Sequence, residues 1–325
     1  MKLIDSNRDY GFSDDLREKI AHSVKLIKSA EKLSLAASED GFYLAFSGGK
    51  DSQALYHVTE LSGVKFHAHM NMTSVDPPAV VRFVKENYPE VERHIPEKNF
   101  FQLIEKKRQL PSNVARYCCE VLKEHGGAGY VKLIGIRAEE SKKRSNRKEV
   151  ETTKRKQFTF DQFSEHQETM VNCVGGKDSI IVSPILYWTE QNVWEFLNKI
   201  GAPHCSLYDE GQKRIGCAYC PMSNISEMLD YPYRFPHWTN KLKNEIKKLC
   251  DSGLYRTLDS NPDLVFAWYI SERTMSDFLK MMKSMKEGKF APNKKNREAY
   301  KKFTMDFLPV ECRKWLNSWN DLKAD

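Results

Sequence analysis

Apolar residues recur at three- and four-residue steps from Leu16 through Ile20, Val24 and Ile27 to Leu33, and this period predicts a helix over 14–37. The pattern then changes. Phe42–Phe46 is a short unbroken apolar run of the kind found in buried strands, and it leads directly into Ser-Gly-Gly-Lys-Asp-Ser at 47–52. Helical and strand patterns alternate from there: helices at 53–61, 77–88, 100–110 and 114–125, strands at 65–70, 91–95 and 129–137. A further strand at 180–186 is followed by a helix at 189–201 that stops at Gly201. Such alternation predicts an α/β fold with a mostly parallel twisted sheet flanked by helices. Residues 141–158 break the rhythm with eight basic and two acidic residues, and read as a solvated loop or insertion. Beyond about 225 the pattern is mostly helical, interrupted by proline and aromatic residues.

Composition narrows the class. The chain has 325 residues, 40% hydrophobic and 29% charged, enough to bury a core and too apolar for a chiefly disordered state. No apolar run approaches the ~18–20 residues of a membrane-spanning helix, so no membrane partner is expected. The first twenty residues lack an apolar signal core, which sets the expectation of a cytoplasmic protein. Basic residues outnumber acidic ones 51 to 44, a surplus that permits a polyanionic partner without requiring one. The eight cysteines are Cys118, Cys119, Cys173, Cys205, Cys217, Cys220, Cys250 and Cys312. In a chain of this size and inferred compartment they point to metal, redox or catalytic roles before disulfides.

The 47–52 segment lies between a predicted strand and a predicted helix, which gives it a physical reading. Gly48 and Gly49 let the backbone bring N–H groups close to an anion, and the helix behind aims its N-terminus at the same place. Ser47 and Ser52 add hydroxyls, Lys50 a charge, and Asp51 a cap or a ligand for Mg²⁺. The same Gly-Gly-Lys-Asp-Ser letters recur at 175–179, but a β-branched run follows them, so that copy reads as a loop without a phosphate role.

Together with Cys-Cys at 118–119, Gly-x-Arg-x-x-Glu-Ser-x-x-Arg at 135–144 and the stretch at 207–220 that ends in Cys-x-x-Cys, this loop resembles the phosphoadenosine phosphosulfate (PAPS) reductase family of the PP-loop, adenine nucleotide alpha-hydrolase-like superfamily. The resemblance spans about 40–222. It implies a nucleotide-binding sheet whose PP-loop holds pyrophosphate or the phosphosulfate end of an adenylylated substrate. By the resemblance, Ser47, Gly48, Gly49, Asp51 and Ser52 match the phosphate loop, and Gly135, Arg137, Glu140, Ser141 and Arg144 match a second substrate loop. Tyr208 and Arg214 would complete the pocket, and Asn71, with the Asp76-Pro77-Pro78 turn, falls where adenosine is contacted. Lys50, Asp51 and Arg137 are the candidate catalytic residues. The expected organisation is a helical segment at 1–39, a PP-loop nucleotide-binding domain at 40–225 with its basic insertion, and a basic helical domain at 226–325.

The resemblance also implies a [4Fe–4S] cluster held by Cys118, Cys119, Cys217 and Cys220, because family members acting on adenosine phosphosulfate carry such pairs. Adjacent cysteines on a helix diverge by about 100°, so Cys205 is a substitute ligand and zinc an alternative ion. The family's reductases end in a Glu-Cys-Gly-Leu-His tail whose cysteine attacks sulfur. Here Glu311-Cys312 is followed by Arg-Lys-Trp, which reads as a packed helix. That departure favours cleavage of ATP to AMP and pyrophosphate to activate a substrate for sulfur transfer, with a sulfur-donor protein as partner. The alternatives are an adenosine phosphosulfate or PAPS reductase releasing sulfite, and a non-catalytic nucleotide-binding regulator. Residues 281–303 repeat the ratio of eight basic to two acidic residues seen at 141–158, so both segments are candidate nucleic-acid faces or merely solvated surface.

Overall fold

The computed structural model describes residues 4–5, 8–124, 126–152, 157–163, 180–271, 274–290 and 297–309. Its chain divides into two compact units. The first comprises Met1–Met72, Asp76–Pro96 and Lys123–Ile215, and the second Thr73–Val75, Glu97–Leu122 and Gly216–Asp325. No helix of the described residues is long and apolar enough to cross a membrane.

The first unit is built on a seven-stranded sheet: β1 (Phe42–Ala45), β2 (Phe66–Asn71), β3 (Glu92–His94), β4 (Val131–Ile134), β5 (Val150–Thr152), β6 (Gln157–Phe158) and β7 (Ile180–Val182). Their order is β3-β2-β1-β4-β7-β5-β6. The strands from β3 to β7 in that order pair in parallel, and β5 runs antiparallel to both β7 and β6. Leu44 stands opposite Ala68 on one side and Leu133 on the other. The run Phe42, Tyr43, Leu44 is buried throughout, as expected of a strand covered on both faces.

Helices Asp14–Ser29, Lys50–Ser62, Pro78–Asn87 and Glu190–Lys199 supply that cover with Leu16, Ile27, Ala54, Leu55, Val58, Val84, Val193 and Phe196. From β1 the chain runs outward to β2 and β3 on one side, and to β4 and β7 on the other. That reversal leaves a crevice beyond the carboxyl ends of β1 and β4, the place where open α/β sheets bind ligands.

The second unit is helical. Phe100–Lys107 starts at Asn99, whose side chain and that of Gln102 form a reciprocal capping box. Helices Ile225–Arg234, Pro236–Asp251, Pro262–Ile270, Met275–Lys286 and Arg297–Asp306 pack around Leu242, Ile246, Phe266, Phe278 and Phe303.

Several sequence expectations are corrected in detail. The N-terminal helix breaks at Ala30 into Asp14–Ser29 and Glu31–Ala37. The helix expected over 114–125 is one turn, Tyr117–Cys119, continued as a π turn over Glu120–Glu124. The basic segment 141–158 is not simply a solvated loop, because it supplies β5 and β6 at the sheet edge. Its charges are partly consumed internally: Arg144 pairs with Glu140 and Arg147 with Glu151. Cys173, the second Gly-Gly-Lys-Asp-Ser copy, Glu311 and Cys312 lie outside the described residues.

Candidate functional site

The phosphate loop sits in the crevice. It leaves β1 at Phe46, turns through Ser47, Gly48 and Gly49, and enters the Lys50 helix with Gly49 as N-cap. Gly48 adopts φ +75°, and a Cβ there would lie 2.8 Å from Val84 Cγ2 and 3.0 Å from Val80 Cγ1. Only glycine satisfies both constraints. The loop is held from inside. Ser52 Oγ accepts the Ser47 N–H at 3.2 Å and donates to the Gly49 carbonyl at 2.8 Å. Ser47 Oγ lies 3.2 Å from Ser52 Oγ.

Beneath the loop, Gln53 donates to the Gly48 carbonyl at 3.2 Å and accepts from the Tyr88 hydroxyl at 3.0 Å. His57 Nε2 meets the same hydroxyl at 3.0 Å. Sequence reasoning did not single out Gln53, His57 or Tyr88. The available signal was polar residues at 53 and 57 on an otherwise apolar helix face.

Two cations converge at the mouth. Lys50 is 4% exposed; its ammonium donates to the Lys213 carbonyl at 3.0 Å and lies 3.4 Å from Glu190 and 3.8 Å from Asp51. Its backbone N–H donates to the Tyr208 hydroxyl at 2.8 Å, and its side chain lies over the Tyr208 ring. Burial raises the Tyr208 phenol, which therefore stays protonated.

Arg137 emerges beyond β4, also 4% exposed. It donates to Asp51 at 2.6 Å through Nε and to Glu139 at 2.7 Å through Nη1. Burial opposes its charge, but Asp51, Glu140 and Glu139 outweigh that and raise it further. Of the carboxylates facing these cations, Glu139 and Glu190 are about half exposed, while Asp51 is 21% exposed. With one oxygen on Arg137 and the other turned toward Lys50, Asp51 is a clamp for cations.

The rest of the second loop shapes this corner. Gly135 approaches the Lys50 helix so closely that a Cβ would sit 2.8 Å from the Asp51 carbonyl oxygen. Glu140 accepts the Arg137 N–H at 2.9 Å and pairs with Arg144. Ser141 caps the turn Lys142–Ser145 by accepting from the Arg144 N–H at 3.3 Å. Arg144 therefore orders its own loop. Asn71, at the end of β2, donates to the Tyr43 hydroxyl at 3.2 Å and to the Lys123 carbonyl at 3.1 Å. Arg214 is exposed on the segment after Tyr208.

The cysteines require a correction. Cys118, Cys119, Cys217 and Cys220 all belong to the second unit, whereas Cys205 is buried in the core of the first. The Cys118 thiol is pushed up by its hydrogen bond with Cys119, by burial, and by Cys119, Cys220 and Cys217 nearby. Among the described residues, the group of three or more metal-ligating side chains with donor atoms all within 4.8 Å of one another is His69, Glu92 and His94. That composition of two imidazoles and a carboxylate overturns the expected four-cysteine [4Fe–4S] cluster, with or without Cys205. The histidine pair was missed because its partners become neighbours only through strand register.

A family model for the phosphoadenosine phosphosulfate reductase domain matches residues 41–223. An uncharacterized protein of Methanocaldococcus jannaschii is 27% identical over 224 residues, covering 64% of this chain and 42% of that protein. An adenosine 5'-phosphosulfate reductase of Staphylococcus epidermidis is 36% identical over 67 residues, which is 21% of this chain and 26% of that protein. The chain thus spans less than half the length of these relatives. The phosphate complex of phosphoadenylyl-sulfate (PAPS) reductase from Candida auris is similar with a TM-score of 0.40 and 14% identity, over 65% of this chain and 98% of that one.

Proposed function

We propose that this chain, which belongs to the phosphoadenosine phosphosulfate reductase domain family, binds an adenylyl sulfate nucleotide at the 47–52 loop and promotes reductive release of sulfite from it. The supporting observation is the pair of buried cations, Lys50 and Arg137, at the mouth of a glycine loop on a helix N-terminus. Such a site suits a doubly anionic phosphosulfate. The half-exposed carboxylates Glu139 and Glu190 are the groups an incoming anion displaces, because they swing into water at little cost. Asp51 stays and keeps Arg137 aimed.

In this reading a thiolate attacks the substrate sulfur and the S–O bond to phosphate breaks. The electron pair leaves on AMP, or on its 3'-phosphorylated form. A second thiolate then attacks the thiol-derived sulfur of the resulting S-sulfonate, the bond to the sulfonate sulfur breaks with its electron pair leaving on sulfite, and a disulfide forms. Sulfur is reduced and a dithiol is oxidised, so an added protein or small-molecule dithiol supplies the electrons. Lys50, Arg137 and the loop amides stabilise charge on the departing phosphate. Asn71 and Tyr208 orient the nucleotide, while Gly135, Glu140, Ser141 and Arg144 hold the Arg137 loop. Residue roles apart, these are all groups of one unit.

The test offers the full chain, with a dithiol and without oxygen, three substrates in parallel: adenosine phosphosulfate, PAPS and ATP. Sulfite together with AMP from adenosine phosphosulfate, or together with the 3'-phosphorylated form of AMP from PAPS, is the expected result. Pyrophosphate from ATP with no sulfite from the others would overturn the reading in favour of ATP-driven sulfur transfer.

A further inference from the structure

We propose that His69, Glu92 and His94 form a binding site for one divalent first-row transition-metal ion of the zinc class at the edge of the sheet. β2 and β3 are parallel, with His69 opposite Glu92 and Asn71 opposite His94. Residues two apart on a strand share a face, so Glu92 and His94 project together and the register sets His69 beside them. His69 Nδ1 lies 2.9 Å from His94 Nε2 and 3.3 Å from one Glu92 carboxylate oxygen. The other Glu92 oxygen lies 3.7 Å from His94 Nδ1. Bonds of about 2.0–2.2 Å to a tetrahedral ion put neighbouring ligand atoms roughly 3.3 Å apart. The 3.3 Å separation of His69 Nδ1 from Glu92 already matches that value, and the 2.9 Å separation from His94 lies a little below it.

The donor set selects the class of ion. Magnesium and calcium prefer all-oxygen shells, whereas two imidazoles with a carboxylate suit zinc and its neighbours. One ligand is preorganised: the His69 side chain is 13% exposed and stacks on Tyr43 at 4.2 Å with the rings 7° from parallel. The outer side is open, since Glu92 and His94 are 64% and 40% exposed, which leaves an entry path and room for a water as a further ligand. β3 has three residues and ends the sheet. An ion bridging it to β2 fastens an edge strand that is otherwise short of ladder bonds.

The test strips the full chain with a chelator, equilibrates it with Zn²⁺, and counts retained metal by elemental analysis. Cysteine thiols also take zinc, so the readout is the difference between wild type and two variants. His94→Ala is expected to retain one equivalent fewer per chain. Glu92→Gln, a mostly exposed position, is expected to bind that equivalent at least about tenfold more weakly. It carries the test if His94→Ala does not fold. Cobalt at the same equivalent is expected to show ligand-field bands without sulfur-to-cobalt charge transfer. Equal zinc content and affinity in all three proteins, or cobalt bound only with thiolate charge transfer, would overturn the proposal.

Discussion

Replacing Gly48 by alanine separates the loop's backbone requirement from its chemistry. Two costs add at this position. A residue with a Cβ at φ +75° is in the left-handed region, which costs about 1–2 kcal/mol. The new methyl also meets Val84 Cγ2 at 2.8 Å and Val80 Cγ1 at 3.0 Å in a packed core, and overpacking of this kind costs about 1–3 kcal/mol. Gly48→Ala should therefore lose about 2–5 kcal/mol. Gly49 provides the control. Its φ is −79°, and an added Cβ would meet Ser47 Oγ at 3.5 Å and the Tyr208 hydroxyl at 3.6 Å, which are ordinary contacts. Gly49→Ala should lose less than about 1 kcal/mol.

Urea unfolding of the full chain measures both, with the slope checked so that midpoints are comparable. Val84→Ala in the Gly48→Ala background should recover part of the steric cost, seen as coupling in a double-mutant cycle. A Gly48→Ala protein as stable as wild type, or no coupling to Val84, would refute the reasoning.

Asp51→Asn removes the carboxylate from a mostly buried ion pair with Arg137 and should destabilise the first unit by about 3 kcal/mol, read by the same unfolding assay. Tyr208→Phe deprives the Lys50 N–H of its acceptor and should cost about 1 kcal/mol, visible as a lower melting midpoint. His22 carries a pH signature: its hydrogen bond with Glu149 raises its pKa above 6.5, against an opposing effect of burial. The folded state then binds that proton more tightly, so the stabilisation is complete below 6.5 and is lost as pH rises through the higher folded value. His22→Gln should flatten this part of the stability profile.

Much of the first unit was legible because local signals and global topology agree there. Phe42–Phe46 reads as buried strand, the glycine loop follows it, and the apolar helix faces pack where their period places them. The 141–158 segment misled because Val150, the residue that joins the core, is isolated among charges. Glu149 and Glu151 are buried there with His22 and Arg147 paired to them, and no local pattern reports the His22 partner of Glu149, 127 positions away. The helix expected over 114–125 failed for a related reason: its apolar spacing is helical, yet only one α turn forms before a π turn takes over. The cysteine spacing suggested four ligands, whereas the compact His-Glu-His group came from strands whose register is set by tertiary pairing.

The central claim is that the buried cations and loop amides read the anionic end of an adenylyl nucleotide. Calorimetric binding of AMP and adenosine phosphosulfate to wild type and Gly49→Ala tests it directly. The account predicts that the phosphosulfate binds wild type about 10–100-fold more tightly than AMP, the worth of added charge-assisted hydrogen bonds. It also predicts that Gly49→Ala, whose methyl would stand 3.5 Å from Ser47 Oγ and 3.6 Å from the Tyr208 hydroxyl beside the anion-binding amides, loses most of that preference. Equal affinity for the two nucleotides, or a preference untouched by Gly49→Ala, would contradict it.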